Sequence, residues 1–255
     1  MTSERSGAWV TTMSDDGSLS RAFILHVRKF RDTSVIIELM TETEGRLSAV
    51  MRGVRTRKSK TASHVRPFTQ VLVSWFGRGE LKTIRTMDFP VRAAVLTGEA
   101  LVTGLYVNEL LVRLTGKFEP LPAVFDAYGT MLSDLESGND IQPLLRRFEL
   151  TLLGELGYGV TFDVDADTGD PVEPGVRYGY TAGTGFYRLP GGVAEPGVSP
   201  PGYSGDVLLA LARGAFDEPD ALRAAKRIVR VSINELLGGR ELKSRELLSR
   251  REERA

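Results

Sequence analysis

Between Ala22 and Phe89 the apolar residues fall in short runs rich in β-branched side chains, whereas beyond Thr97 they recur at intervals of three and four. The first pattern predicts strands and the second predicts amphipathic helices. Strands are expected over residues 23–28, 33–41, 46–52, 68–75 and 81–85. Glu42-Thr-Glu-Gly45 supplies a hairpin turn with Gly where positive φ is needed, and Gly77-Arg-Gly79 joins the last two strands. Five short strands and one long loop, residues 53–66, fit a five-stranded oligonucleotide-binding (OB) barrel. An SH3-like barrel gives much the same pattern. The long loop has few apolar residues, so it is expected to be solvated and mobile.

The helical half reads in the same way. Thr97 can cap a helix through Leu101, Leu105, Leu110, Leu111 and Leu114. A second helix, residues 121–135, starts with Pro122 in its first turn, where a missing N–H costs little. A third covers 141–156 and stops at Gly157, with Arg146 and Arg147 off its apolar stripe. From Tyr158 to Gly205 Gly and Pro recur every few residues around two short aromatic runs, which predicts a β-rich insertion. Helices then return at 204–216 and 219–237. The expected class is α+β: a disordered N-terminus (1–18), an OB-fold DNA-binding domain (19–92), and a helical domain (93–255) with the insertion at about 158–204.

Charge sharpens this division. The chain of 255 residues carries 33 basic and 33 acidic side chains, a balance of zero. From Arg21 to Arg92, however, fifteen Lys and Arg face six Asp and Glu, a net of +9, leaving −9 elsewhere. Five of the nine residues from Arg52 to Lys60 are cationic and none is acidic. A basic module tied to an acidic one predicts a polyanion bound by the first half. Candidate phosphate contacts are Arg28, Lys29, Arg52, Arg55, Arg57, Lys58, Lys60, Arg78, Lys82 and Arg85. Trp75, Phe76 and Phe30 are candidate base-stacking platforms, and core packing is the competing use of Trp75 and Phe76. In the last helix Lys226, Arg227 and Arg230, with Arg223, share one arc and either extend the phosphate track or simply solvate the helix.

Other chemistries find less support. With no Cys, disulfides, thiolate zinc sites and cysteine nucleophiles are excluded. Gly77 to Thr83 lacks the spacing of a phosphate loop. His26 and His64 have no ligand-spaced partner. Asp163, Asp165, Asp167 and Asp170 alternate like the opening of a calcium loop, but Thr168 and Pro174 stand where Gly and Glu are needed, so an acidic turn is expected. No apolar run reaches bilayer-spanning length and no signal-peptide core is present, so a cytoplasmic protein is expected. No cofactor and no metal is expected.

Particular strings carry a family likeness: Ala22-Phe-Ile-Leu-His26, Asp32-Thr-Ser34, Thr41-Glu-Thr-Glu-Gly-Arg46, Gly77-Arg-Gly-Glu-Leu-Lys-Thr83, Leu105-Tyr-Val-Asn-Glu-Leu-Leu111, Leu145-Arg-Arg-Phe-Glu149, Leu156-Gly-Tyr158 and Leu237-Gly-Gly-Arg-Glu-Leu-Lys-Ser-Arg245. In this order the chain resembles the RecO family of bacterial recombination mediators from Arg21 to Leu248. The resemblance implies an N-terminal OB domain, a helical C-terminal domain and no enzymatic site. It implies a role in the RecF pathway of DNA repair, binding single- and double-stranded DNA, annealing complementary strands and helping to load RecA onto strands coated by single-strand-binding protein (SSB). RecR and the acidic C-terminal tail of SSB are the implied partners; Arg146 or Arg147 is the candidate to pair the tail's carboxylates, unless both simply solvate the helix. Many members hold zinc through four Cys in the insertion, and this chain has none. The rival readings are a non-catalytic protein adaptor and a metal-dependent nuclease.

Overall fold

The computed structural model describes residues 18–56, 61–90, 93–190 and 202–244. It divides into two compact units. One holds the described residues up to Val95 together with Val107–Phe125; the other holds Leu96–Tyr106 and the described residues from Asp126 onward.

The first unit is a closed barrel of β1 (Ser20–Phe30), β2 (Ser34–Thr41), β3 (Gly45–Met51), β4 (Gln70–Phe76) and β5 (Leu81–Asp88). Its order is β1-β2-β3-β5-β4, with β1 pairing both β2 and β4, and β3 and β5 the one parallel pair. That is the OB arrangement, so the SH3-like alternative drops out. Alternate residues such as Ile24, Ile37, Leu39, Leu47, Val71 and Val73 point inward and form its core.

Two β-bulges interrupt the alternation. In β1 the register slips between Ile24 and His26, which leaves Leu25 as the extra residue. Its carbonyl falls outside the ladder and accepts from Asn108 Nδ2 at 2.7 Å. In β5, Ser74 pairs Thr86 and Trp75 pairs Ile84, so Arg85 is the extra residue. Arg85 and Thr86 are therefore both exposed, between the core-facing Ile84 and Met87.

Part of the barrel's outer wall is covered by residues 107–125. The rings of Phe23 and Phe125 are 5.0 Å apart, Arg46 donates to the Thr115 carbonyl at 2.8 Å, and the Phe118 N–H donates to the Arg46 carbonyl at 2.9 Å. Gly45, at φ +67°, lies so near this segment that an added Cβ would sit 1.9 Å from the Glu119 carbonyl oxygen. Only glycine satisfies both the positive φ and the close approach.

The loop after β3 is solvated as expected at Arg55, Thr56, Ala62, Ser63, His64 and Arg66, but Val54 and Val65 are buried and join the barrel core, so its described parts are pinned at two points. Two branched apolar side chains in the barrel mouth gain roughly 1.5–3 kcal/mol each over exposure.

The helices are α1 (Gly98–Leu114), α2 (Pro122–Ser137), α3 (Ile141–Glu155), α4 (Gly205–Ala212) and α5 (Pro219–Leu237). Pro122 and Pro219 each open a helix, and Gly238 ends α5 in the left-handed conformation. Between α3 and α4, β6 (Arg177–Thr181), β7 (Gly185–Arg188) and β8 (Tyr203–Ser204) form a sheet ordered β7-β6-β8. Its Tyr178 and Phe186 share a core with Phe162, Leu208, Leu211 and Ile228, so the insertion packs on α4 and α5 through its rings. Among the described residues, no helix is long and apolar enough to cross a membrane.

Candidate nucleic-acid interface

The barrel's cations divide into those used by the fold and those turned to solvent. Arg21 pairs with Glu42, and Arg46 with Glu38 at 3.3 Å, both partly buried. Arg28 and Lys29 near the end of β1, and Arg52 and Arg55 after β3, are exposed. The β1–β2 turn lies at the same end as these, because Phe30 faces Ser34 and Val35 faces Met51. Arg55 is tied to that turn: its N–H donates to the Thr33 carbonyl at 3.0 Å and its guanidinium to the Arg31 carbonyl at 3.2 Å. Arg31 itself is exposed, sits over the Phe30 ring at 5.2 Å, and adds a cation that the charge pattern alone does not single out. Its signal in the sequence is no more than a place in a tight turn, where φ is +51°. Arg57, Lys58 and Lys60 lie outside the described residues.

The β4–β5 hairpin supplies the second part. Arg78 is exposed in the turn, and the Arg85 bulge sets its guanidinium over the Phe76 ring at 5.7 Å. Phe76 is 45% exposed, the partner of Thr83 in the ladder. Trp75 requires a correction. It is 7% exposed and belongs to the barrel core, because strand alternation turns it inward when Phe76 points out, so its ring is not presented for stacking. Lys82 is half-buried, with its ammonium donating to the Gly77 carbonyl at 2.8 Å and lying 4.9 Å from the Phe118 ring centre. Val50 pairs with Thr83, so Arg52 and Arg85 each follow two residues after the same pair. His64 packs on Phe89 at 5.3 Å and His26 is exposed.

In the second unit the two adjacent arginines of α3 have opposite settings. Arg146 is 5% exposed and pairs with Glu149 at 2.8 Å, and Glu149 also accepts from the Tyr106 hydroxyl at 2.7 Å. The expectation that it lies off the buried face is overturned, because its charge is compensated inside the helix packing rather than by water. Arg147 is exposed, 5.5 Å from the Phe216 ring centre. On α5, Arg223 pairs with Asp220, Lys226 is half-buried, and Arg227 and Arg230 are exposed. Arg227 sits over the Tyr203 ring at 5.0 Å. Burial raises the phenol of Tyr203 above its ordinary range against the pull of Arg227's charge, and that of Tyr180 against its hydrogen bond to Ser232.

The insertion's donor set does not fit a zinc ion. Asp165 is buried with both carboxylate oxygens occupied, one by the Asp167 N–H at 2.9 Å and the other by the Arg188 N–H at 3.2 Å. The other aspartates of this turn are exposed, and no three His, Asp or Glu among the described residues are placed to hold a metal.

A barrel with exposed cations at its β1–β2 turn and on its β4–β5 hairpin, joined to a helical unit, matches known proteins along nearly its whole length. The family model for the recombination protein O N terminal covers residues 13–89, and that for its C terminal covers 96–246. The chain belongs to the RecO family. It is 41% identical to DNA repair protein RecO of Aromatoleum aromaticum over 232 residues, 91% of this chain and 95% of the relative. Identity to the RecO of Yersinia enterocolitica is 43% over 229 residues, 89% and 92% of the two chains, and to that of Aliivibrio salmonicida 39% over 90% and 94%. Membership places the chain in DNA repair and recombination. The RecO-like strings serve the fold more than the interface: Arg21 with Glu42, Arg46 with Thr115, Asn108 with Leu25 and Tyr106 with Glu149 all draw on them.

Proposed function

We propose that this RecO-family chain is a non-catalytic mediator that binds single- and double-stranded DNA and anneals complementary strands. In this reading residues 19–92 are the DNA-binding domain and 93–255 the partner-binding domain. Phosphates lie against Arg28, Lys29, Arg31, Arg52, Arg55, Arg78 and Arg85, and a base stacks on Phe76. The observation that carries it is the exposed Phe76–Arg85 pair on the barrel, with solvent-facing cations at the β1–β2 turn. Exposed cations hold a polyanion by releasing its counterions and do not require sequence recognition. An aromatic ring accepts any base, at about 1–3 kcal/mol per base. Two strands neutralised on such a surface lose their mutual repulsion, and base pairing then drives annealing without any bond chemistry.

The same reading includes action on strands coated by single-strand-binding protein, help in loading RecA together with RecR, and a cytoplasmic, nucleoid-associated location. For the acidic tail of SSB, Arg147 beside Phe216 is the contact, since an exposed guanidinium next to an apolar ring suits a peptide that is both acidic and hydrophobic. Annealing of complementary oligonucleotides, with and without SSB, tests the reading. A variant carrying R28E, R55E and R85E is expected to lose most annealing while keeping its unfolding temperature. Wild-type annealing in that variant overturns the assignment. Absence of salt-dependent DNA binding favours a protein adaptor instead, and metal-dependent cleavage of labelled DNA favours a nuclease.

A further inference from the structure

The insertion sheet lays a row of aromatic rings beside the arginines of α5. Tyr203 of β8 pairs with Tyr178 of β6, and its ring meets Phe186 edge-on at 5.9 Å. Tyr180, 4.9 Å from Phe186, is fastened to α5 by a 2.7 Å hydrogen bond between its hydroxyl and that of Ser232. The sheet is thus held where Tyr203 meets Arg227, one turn from Arg230 on the exposed face of the helix. Arg223, a turn earlier, is neutralised by Asp220. What remains is a half-buried aromatic ring, a guanidinium over it and a second exposed cation beside them.

We infer that Tyr203, Arg227 and Arg230 form a second strand-binding surface, selective for single-stranded nucleic acid with unpaired bases. The chemistry favours that occupant. Two exposed cations attract a phosphate backbone, and a guanidinium supported by a ring is itself a platform on which an unpaired base stacks. A duplex keeps its bases stacked internally and gains only the phosphate contacts. The inference rests on the proposed handling of DNA and adds to it a surface carried by the other compact unit. One chain then holds each of two complementary strands separately, so annealing does not require a second copy.

The test uses the full-length chain and fluorescence anisotropy, with a labelled oligothymidylate and a blunt duplex of equal length as probes. The R227E/R230E variant is expected to bind oligothymidylate at least about ten-fold more weakly, and two lost contacts should flatten the slope of log affinity against log salt by roughly 1.4. Tyr203→Leu should weaken oligothymidylate roughly ten-fold and leave the duplex unchanged, while Tyr203→Phe retains wild-type binding. If Tyr203→Leu does not fold, Arg227→Lys takes its place: it keeps the charge, loses the planar platform, and should weaken oligothymidylate more than duplex. Wild-type oligothymidylate affinity in R227E/R230E overturns the proposal. So does an equal loss for both probes with no effect at Tyr203 or in Arg227→Lys, and so does a loss confined to a synthetic acidic peptide. The R28E/R85E variant separates the two readings: if it binds normally while R227E/R230E does not, the barrel assignment falls and this surface stands.

Discussion

The two walls of the barrel treat the same residue types in opposite ways. On the wall under residues 107–125, Arg46 is held by Glu38 and the Thr115 carbonyl, and Asn108 is spent on Leu25. On the β4–β5 hairpin, Arg85 lies over the ring of Phe76 and is otherwise open to water. A cation on the first wall holds the chain to itself, while one on the second is available to something else. Adjacent residues of α3 repeat the contrast, Arg146 buried on Glu149 and Arg147 exposed. In this chain, then, a charge count locates the basic half but does not say which of its cations are left to solvent.

The contrast breaks most severely at Gly45. Gly45→Val adds side-chain atoms into the Glu119 backbone and forces positive φ on a β-branched residue. We expect a loss of at least about 4 kcal/mol, seen as failure to yield a cooperative urea transition. A soluble, wild-type-stable variant would mean that residues 107–125 do not cover the wall so closely.

Next comes the arginine pair of α3. Arg146→Ala removes the guanidinium that neutralises the buried Glu149 carboxylate, leaving the Tyr106 hydroxyl bond in place, and should cost about 3–5 kcal/mol. Arg147→Ala should stay within about 0.5 kcal/mol. Urea midpoints of the two variants measure the difference, and equal midpoints would remove the distinction between a cation of the fold and one on the surface.

Arg46→Ala should be milder, about 1.5–3 kcal/mol, since Arg46 is half-buried and its loss leaves the Thr115 carbonyl and Glu38 seeking other donors. Its oligonucleotide affinity at a temperature where it remains folded should match wild type. A drop in affinity with unchanged stability would move Arg46 to the open wall.

Much of the fold is legible in the amino-acid pattern. The period-two and period-3.6 repeats locate five strands and five helices, and Pro122, Gly157 and Pro219 mark helix limits, because local steric rules act on the residues themselves. The bulges are not legible: Leu25 and Arg85 each add a residue that shifts the alternation of β1 and β5. Nor is the fate of Arg146. Its partner Glu149 lies on the same helix, but the hydroxyl that completes the group belongs to Tyr106, 43 residues from Glu149, and one helix period gives no notice of it. Trp75 and Phe76 show the limit most plainly. Adjacent aromatic residues on a strand must face opposite ways, but only the closed barrel says which way is in.

The smallest effect on stability carries the largest consequence for function. Phe76→Ala and Arg85→Ala remove exposed groups, so each should leave the unfolding midpoint within about 0.5 kcal/mol of wild type. Phe76→Ala should nevertheless weaken single-stranded DNA by about 1–3 kcal/mol, a factor of roughly 5–150, because a base loses its platform. Arg85→Ala should weaken single strand and duplex alike and reduce the salt slope by about 0.7–0.9, the signature of one phosphate contact. Because the two side chains touch, their double variant should lose less affinity than the product of the single losses. Strict additivity would mean that ring and cation meet the strand independently, and that the bulge at Arg85 serves only the barrel's curvature.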